Sequence, residues 1–212
     1  MFQTDPEQYV SFVAASYLWP IARLVEAVHE RDLPGPNDVQ ASVIENGYSA
    51  ATFVLIVVLL ESFCHRGMYL RSENPTAKVM DFLRGALSPH EFRRARELFV
   101  VRDVLAHNHR WDATVYYDQA GSMKFASAEL ARGYGDAKFR DSVVIETRTT
   151  RKLGLNVFPT RVGRSDVTIA LKETLRILES FERLDERIVK LEALHVHYRN
   201  DVLPFKRWAE DL

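Results

Sequence analysis

Residues 46–60, Asn-Gly-Tyr-Ser-Ala-Ala-Thr-Phe-Val-Leu-Ile-Val-Val-Leu-Leu, form an uncharged run that is bounded by Glu45 and Glu61. A membrane-spanning helix needs about 20 apolar residues, so this run of 15 is too short to span a bilayer. Its centre, from Ala50 to Leu60, is apolar on every side, which is typical of a helix surrounded by other helices. The run therefore predicts the core helix of a soluble helical bundle.

Apolar residues at helical spacing extend this bundle in both directions along the chain. Pro20 is expected to kink the first helix, and Asn37 or Asp38 to cap the second. Ser88-Pro89-His90-Glu91 is a capping box with proline at the first helical position. Ser165 or Asp166 is expected to cap the last long helix. The predicted helices cover residues 6–31, 38–71, 76–87, 89–106 and 165–195.

Residues 111–164 differ in composition from the rest of the chain and are rich in β-branched residues and glycine. Residues 114–117 and 123–125 flank Ala120-Gly121 and predict a hairpin. Alternation over 142–150, followed by 155–158, predicts two more strands. The sequence thus predicts one mainly α domain of residues 1–212: a four- or five-helix bundle (6–109 and 165–195) with a small β-rich insertion (111–164) before the last long helix.

Composition limits the classes of function. The 28 Lys and Arg residues nearly balance 29 Asp and Glu, giving a net charge of −1, which argues against indiscriminate coating of nucleic acid. The single cysteine, Cys64, excludes an intramolecular disulfide framework and a cysteine-based zinc ribbon. The N-terminal residues lack a basic segment, so we expect no signal peptide and a cytoplasmic protein without a membrane partner.

Residues 98–109, Leu-Phe-Val-Val-Arg-Asp-Val-Leu-Ala-His-Asn-His, carry the candidate chemistry. Arg102 lies among apolar residues on the helical wheel, where a guanidinium is costly unless it is paired or faces a cleft. Asp103 and His107 are four residues apart, so the carboxylate is placed to orient the imidazole. Arg102 and His107 are about 140° apart on an unbroken helix. They meet only if the helix ends near Ala106 or if two subunits contribute.

At Arg102, Asp103 and His107 the sequence resembles the HEPN superfamily of helical, frequently RNA-cleaving domains. The family motif is an arginine, a polar residue and, after four to six intervening positions, a histidine at the end of a core helix. This resemblance covers the bundle, and the β-rich insertion departs from the minimal family. It implies a homodimer that is formed through the motif region, in which two motifs face one composite cleft.

The resemblance also implies an RNA substrate and cleavage that needs no metal or other cofactor. The ribose 2′-hydroxyl attacks its own phosphate and leaves a 2′,3′-cyclic phosphate and a 5′-hydroxyl. Arg102 would stabilise the phosphoryl charge, His107 would act as acid or base, Asp103 would orient it, and His109 is a further catalytic candidate. Many such domains are toxins or antiviral defence effectors, which implies an antitoxin or regulatory partner.

Residues 138–164 contain seven basic and two acidic residues, a local excess suited to an RNA backbone. Arg148, Arg151 and Lys152 are its candidate RNA-binding residues, and Trp111, Tyr116 and Tyr117 are candidates for base stacking. The alternative is a solvated strand face over an aromatic core of the insertion.

Other functions stay open at this point. Common nucleotide-loop, hydrolase and zinc-protease signatures are absent, and His195-x-His197 is half of a metal site without an evident second half. The main alternative is a non-catalytic dimerisation or binding module of the same fold. An unrelated all-α protein with no catalytic role is the third.

Overall fold

The computed structural model describes residues 13–29, 38–39, 41–71, 78–107 and 111–212. Within these ranges the protein is mainly helical, as the sequence predicts, with three two-stranded antiparallel sheets. The helices are α1 (Leu18–His29), α2 (Val43–Leu70), α3 (Val79–Ala86), α4 (Pro89–His107), α5 (Ala137–Ser142), α6 (Arg164–Leu184) and α7 (Phe205–Asp211). The strands are β1 (Trp111–Tyr117), β2 (Met123–Leu130), β3 (Val143–Val144), β4 (Thr149–Thr150), β5 (His195–Tyr198) and β6 (Asp201–Pro204).

Helix α2 is the centre of the bundle and packs against α1, α4 and α6. It buries one side completely, including Phe53, Ile56, Leu60 and Phe63, but its other side is only partly covered. The expectation of burial all round is therefore wrong. By length and composition α2 is also apolar enough to cross a membrane, as core helices of soluble proteins often are, and 44% of its most apolar window is buried inside the fold.

The start of α2 differs from the prediction. Ser42 caps it, because its hydroxyl accepts a hydrogen bond from the Glu45 N–H at 3.1 Å. Asp38, an expected cap, instead forms a bridge and an ion pair with Lys124 of β2, and Asn37 lies outside the described residues. The predicted end near Arg71 is confirmed.

Two further predictions concern the other bundle helices. A 3₁₀ turn precedes α1, so Pro20 is the third residue of the helix rather than a kink. Proline is tolerated there because the first turn needs no backbone donor. The capping box that opens α4 is confirmed: the Glu91 carboxylate accepts from the Ser88 N–H at 2.9 Å, and the Ser88 hydroxyl accepts from the Glu91 N–H at 3.3 Å.

The insertion contains the predicted hairpin, in which β1 and β2 pair with an irregularity between Thr114 and Val115. The strand predicted over residues 142–150 is wrong. Helix α5 reaches Ser142, and β3 and β4 are two-residue strands joined by a turn in which Arg148 has φ 57°. Of the strand predicted at 155–158, only an isolated bridge between Asn156 and Thr149 forms.

Helix α6 begins at Arg164 with Gly163 as its N-cap, and the Asp166 carboxylate accepts from the Gly163 N–H at 3.0 Å. Neither Ser165 nor Asp166 is the cap itself. The helix ends at Leu184, not near residue 195, because the chain turns at Asp185. The Arg187 side chain hydrogen-bonds the Asp185 carboxyl and lowers its pKa to about 2.

The chain after α6 was predicted as a continuing helix and is not one. Ile188, Leu191 and Leu194 continue the helical spacing and are buried, but they lie in turns and a 3₁₀ segment. Strands β5 and β6 and helix α7 follow. Pro204 ends β6 and precedes α7. His195 and His197 lie on β5, where His197 stacks on Trp19 with ring centroids 4.0 Å apart.

Candidate functional site

Arg102 lies in the last part of α4, where α4 crosses α2. Its Nη2 donates to Oε1 of Glu61 on α2 at 3.0 Å, and both side chains are 26% exposed. Its Nε is 2.8 Å from Oδ1 of Asp103, but without hydrogen-bond geometry, so this contact is an ion pair between neighbours. The guanidinium carbon is 5.7 Å from the centre of the Phe99 ring. The cost of a cation on this face is thus met by two carboxylates and one aromatic ring.

Asp103 connects the motif to the insertion. Its carboxylate binds the ammonium of Lys138, the second residue of α5. Four-residue spacing places Asp103 beside His107, yet its contacts in the described residues are with Lys138 and Arg102. The ammonium offers full opposite charge at contact distance, whereas the imidazole ring at the helix end stays exposed. The orienting role expected for Asp103 toward His107 therefore has no contact behind it in this monomer.

His107 is the last residue of α4 and is exposed. The helix is continuous from Pro89 through this residue, so the angle of about 140° between Arg102 and His107 applies. On this helix the two side chains leave the axis in different directions. The helix ends at His107, one residue past the predicted end near Ala106, so His107 is still part of the helix, and contribution from two subunits is the better supported way for the two groups to meet. His109 lies outside the described residues.

The basic candidates of the insertion occupy two places. Arg148 stacks its guanidinium on Phe125 of β2, 4.6 Å from the ring centre. Arg151 and Lys152 are exposed on the turn after β4. Both aromatic candidates at the end of β1, Tyr116 and Tyr117, are exposed.

Trp111, the third stacking candidate, is half-buried and donates through its indole N–H to the Val157 carbonyl at 3.2 Å. It packs near Phe139 and Phe158, so it belongs to the core of the insertion.

A buried carboxylate holds the basic turn against the motif helix. Glu97 of α4 is 2% exposed. Its Oε1 accepts a hydrogen bond from the Lys152 N–H and its Oε2 accepts one from the Leu153 N–H, both at 2.9 Å. Burial raises the pKa of Glu97, and these hydrogen bonds oppose the rise. Glu97 lies five residues before Arg102, about 7.5 Å along the helix. The turn is therefore held against α4 about one and a half helical turns before Arg102, and about 140° around the helix from it.

Sequence reasoning missed Glu61 and Lys138 as partners of the motif. Glu61 carries one visible signal, since it is the charge that ends the uncharged run of α2. Lys138 is counted among the basic residues of the insertion, but nothing in the sequence indicates that it lies against Asp103. Among the described residues no group of three or more histidine, cysteine, aspartate or glutamate side chains is placed to hold a metal ion.

Comparison of the chain with protein-family models, with characterised proteins and with solved structures gives no match. The functional reading therefore depends on the motif, its surroundings and the chemistry that these allow.

Proposed function

We propose that the protein is a metal-independent endoribonuclease of the HEPN type that acts as a homodimer. The observation that carries the proposal is the combination at one helix end of a partly exposed arginine, Arg102, and an exposed histidine, His107. RNA cleavage by its own 2′-hydroxyl needs a cation for the phosphoryl oxygens and a group that exchanges protons near neutral pH. Those are the two side chains that this helix end presents.

In the proposed reaction the 2′-oxygen forms a bond to phosphorus while the bond from phosphorus to the 5′-oxygen breaks. His107 accepts the 2′-hydroxyl proton or delivers a proton to the departing 5′-oxygen. Arg102 donates to the phosphoryl oxygens as their charge rises. RNA phosphate competes with the Glu61 carboxylate for the guanidinium, so the Glu61–Arg102 pair opens when substrate binds. Asp103 and Lys138 hold the neighbouring backbone of α4 against the insertion.

The geometry of α4 supports the proposed dimer. Because Arg102 and His107 diverge within a chain, the composite site takes Arg102 from one protomer and His107 from its partner. The turn that bears Arg151 and Lys152, with Arg148 nearby, then serves as the surface that binds the RNA backbone away from the cleaved linkage. A toxin or antiviral defence effector in the cytoplasm, controlled by an antitoxin or regulatory protein, is the cellular role that fits such an enzyme.

Incubation of the purified protein with total RNA in EDTA tests the activity. We expect cleavage to persist without divalent metal and to leave 2′,3′-cyclic phosphate and 5′-hydroxyl ends, because the nucleophile is the ribose itself. End-specific ligation or mass spectrometry identifies the termini. Products with 3′-hydroxyl and 5′-phosphate ends, or no products at any RNA concentration, contradict the proposal.

A non-catalytic dimerisation or binding module is the second candidate. It is favoured by the ion pairs of Arg102 with Glu61 and Asp103, which already neutralise the guanidinium in the monomer. Such a module forms the same dimer but leaves RNA intact, so the two candidates differ in the EDTA assay and agree in oligomeric state.

A further inference from the structure

The outward side of α2 is only partly covered by the residues that the structure describes. Seven of its residues recur at alternating spacings of three and four, a period of 3.5 residues that is typical of a seam between two helices. Tyr48 and Tyr69 at its ends are 38% and 54% exposed, and those between are exposed or half-buried. We call this set the α2 outer stripe: Tyr48, Ala51, Leu55, Val58, Ser62, His65 and Tyr69.

The α2 outer stripe is self-complementary when it is reversed. Tyr48 and Tyr69 are equidistant from the midpoint between Val58 and Leu59, and so are Leu55 and Ser62. Two copies related by a two-fold axis at that midpoint therefore place each tyrosine near the partner's other tyrosine, with small and aliphatic side chains between them. An isologous interface requires each patch to face the same patch of the partner, and this arrangement of the α2 outer stripe allows it.

The composition of the stripe also distinguishes a protein partner from lipid. Apolar residues dominate from Ile44 to Val58, but Glu61, His65 and Arg66 follow on or beside the same face. A membrane-facing surface would leave these charged groups against hydrocarbon at considerable cost. A second copy instead accommodates them at the polar part of the seam, where the ion pair of Glu61 with Arg102 is formed.

The size of the stripe indicates what else joins the interface. From Tyr48 to Tyr69 it is about 32 Å long, and a helix presents a surface about 10 Å wide, so its footprint is about 320 Å². A stable interface buries about 800 Å² per partner. The end of α4 meets α2 at the Glu61–Arg102 pair and exposes Ala106 and His107, so it can supply part of the missing area.

We infer that the α2 outer stripe is the homodimer interface, with a two-fold axis at the midpoint between Val58 and Leu59. This deepens the proposed homodimer, on which it rests. Glu61 is about 4 Å along the helix from that axis, so the Glu61–Arg102 pairs of the two protomers flank it closely. The alternative is an axis at Ala51, which is the centre of the apolar part of the stripe alone. With that axis the two Glu61–Arg102 pairs are about 30 Å apart along α2, too far to form a composite site.

Oligomeric state and label-to-label distances test the inference, both without RNA. In light scattering we expect a dimer of the 24.4 kDa chain that becomes a monomer in Leu55→Arg and stays a dimer in Val202→Arg. Val202 is the matched control, an apolar residue that is 56% exposed on β6, a strand that packs against β5 and α7. A monomeric wild-type chain, or equal effects of the two substitutions, overturns the inference.

Spin labels locate the axis in a Cys64→Ala background, since Cys64 is buried and replaceable by a small residue. Labels at Ala51→Cys and His65→Cys, both exposed positions, are at similar distances from the proposed axis. We expect both label pairs to be separated by similar distances of about 20 to 25 Å. With the axis at Ala51 the first distance becomes very short and the second exceeds about 40 Å, which overturns the register. A dimer with the expected distances but no RNA cleavage leaves this inference standing and removes the enzymatic proposal.

Discussion

Arg102→Ala is expected to lower the rate of RNA cleavage by about 100- to 1,000-fold, the loss that is typical when one preorganised donor to a developing oxyanion is removed. The fold is expected to survive, because Arg102 and its partner Glu61 are both 26% exposed and the freed carboxylate reaches solvent. Single-turnover cleavage with saturating RNA measures the chemical step, and thermal unfolding checks the fold.

Arg151→Ala is the matched control for this substitution. Its side chain is an exposed arginine of the basic turn, so its loss weakens RNA binding and the salt dependence of binding without changing the saturated rate. Equal losses in the two variants would show that Arg102 contributes only general positive charge. An Arg102→Ala variant with full activity would remove it from the mechanism.

The second large effect concerns stability. Arg94→Met is expected to lower the free energy of unfolding by about 3 kcal/mol, because it leaves the buried Glu173 carboxylate with Arg176, an exposed side chain, as its remaining arginine partner. Arg94 of α4 is bidentate with Glu173 of α6, with Nε and Oε1 2.9 Å apart, and the Glu173 side chain is only 2% exposed. The hydrogen bonds to Glu173 raise the pKa of Arg94, so the arginine stays charged at any working pH.

Arg176→Met separates burial from pairing in this test. Arg176 contacts the same Glu173 at 3.2 Å, but its side chain is 61% exposed, so its removal is expected to cost less than about 1 kcal/mol. Urea unfolding of the three proteins gives the comparison. A similar loss of unfolding free energy in both variants would mean that the contribution of the ion pair between α4 and α6 does not depend on the burial of its arginine.

Local signals in the sequence account for much of the bundle. Ser88 and Glu91 predict the start of α4, because both halves of a capping box lie within four residues. The uncharged run predicts that α2 is a helix of the core. A helix end that is predicted only from continuing apolar spacing is less reliable, as the end of α6 shows. Ile188, Leu191 and Leu194 continue the spacing of α6 and are buried, but in turns, because burial alone does not distinguish a helix from a turn that packs on the same core.

The candidate site could be predicted only in part. Arg102, Asp103 and His107 are visible as a motif on one helix, and the β1–β2 hairpin is visible from its turn and alternation. The partners are not visible, because Glu61 is 41 residues from Arg102, Lys138 is 35 residues from Asp103, and neither separation is fixed by a local rule. The exposure of the α2 outer stripe could not be predicted from the sequence either. The run is apolar on every side of the helix, so only the tertiary packing decides which side is exposed.

The central claim is that Arg102 of one protomer and His107 of its partner form each site, and a mixed dimer tests it most directly. Arg102→Ala and His107→Ala chains with different affinity tags are co-expressed, and the dimer that contains one of each is purified. It retains one intact composite site of two, so we expect about half of the wild-type cleavage rate, although each parent homodimer is inactive. A mixed dimer as inactive as its parents, beside an active wild type, would contradict the claim.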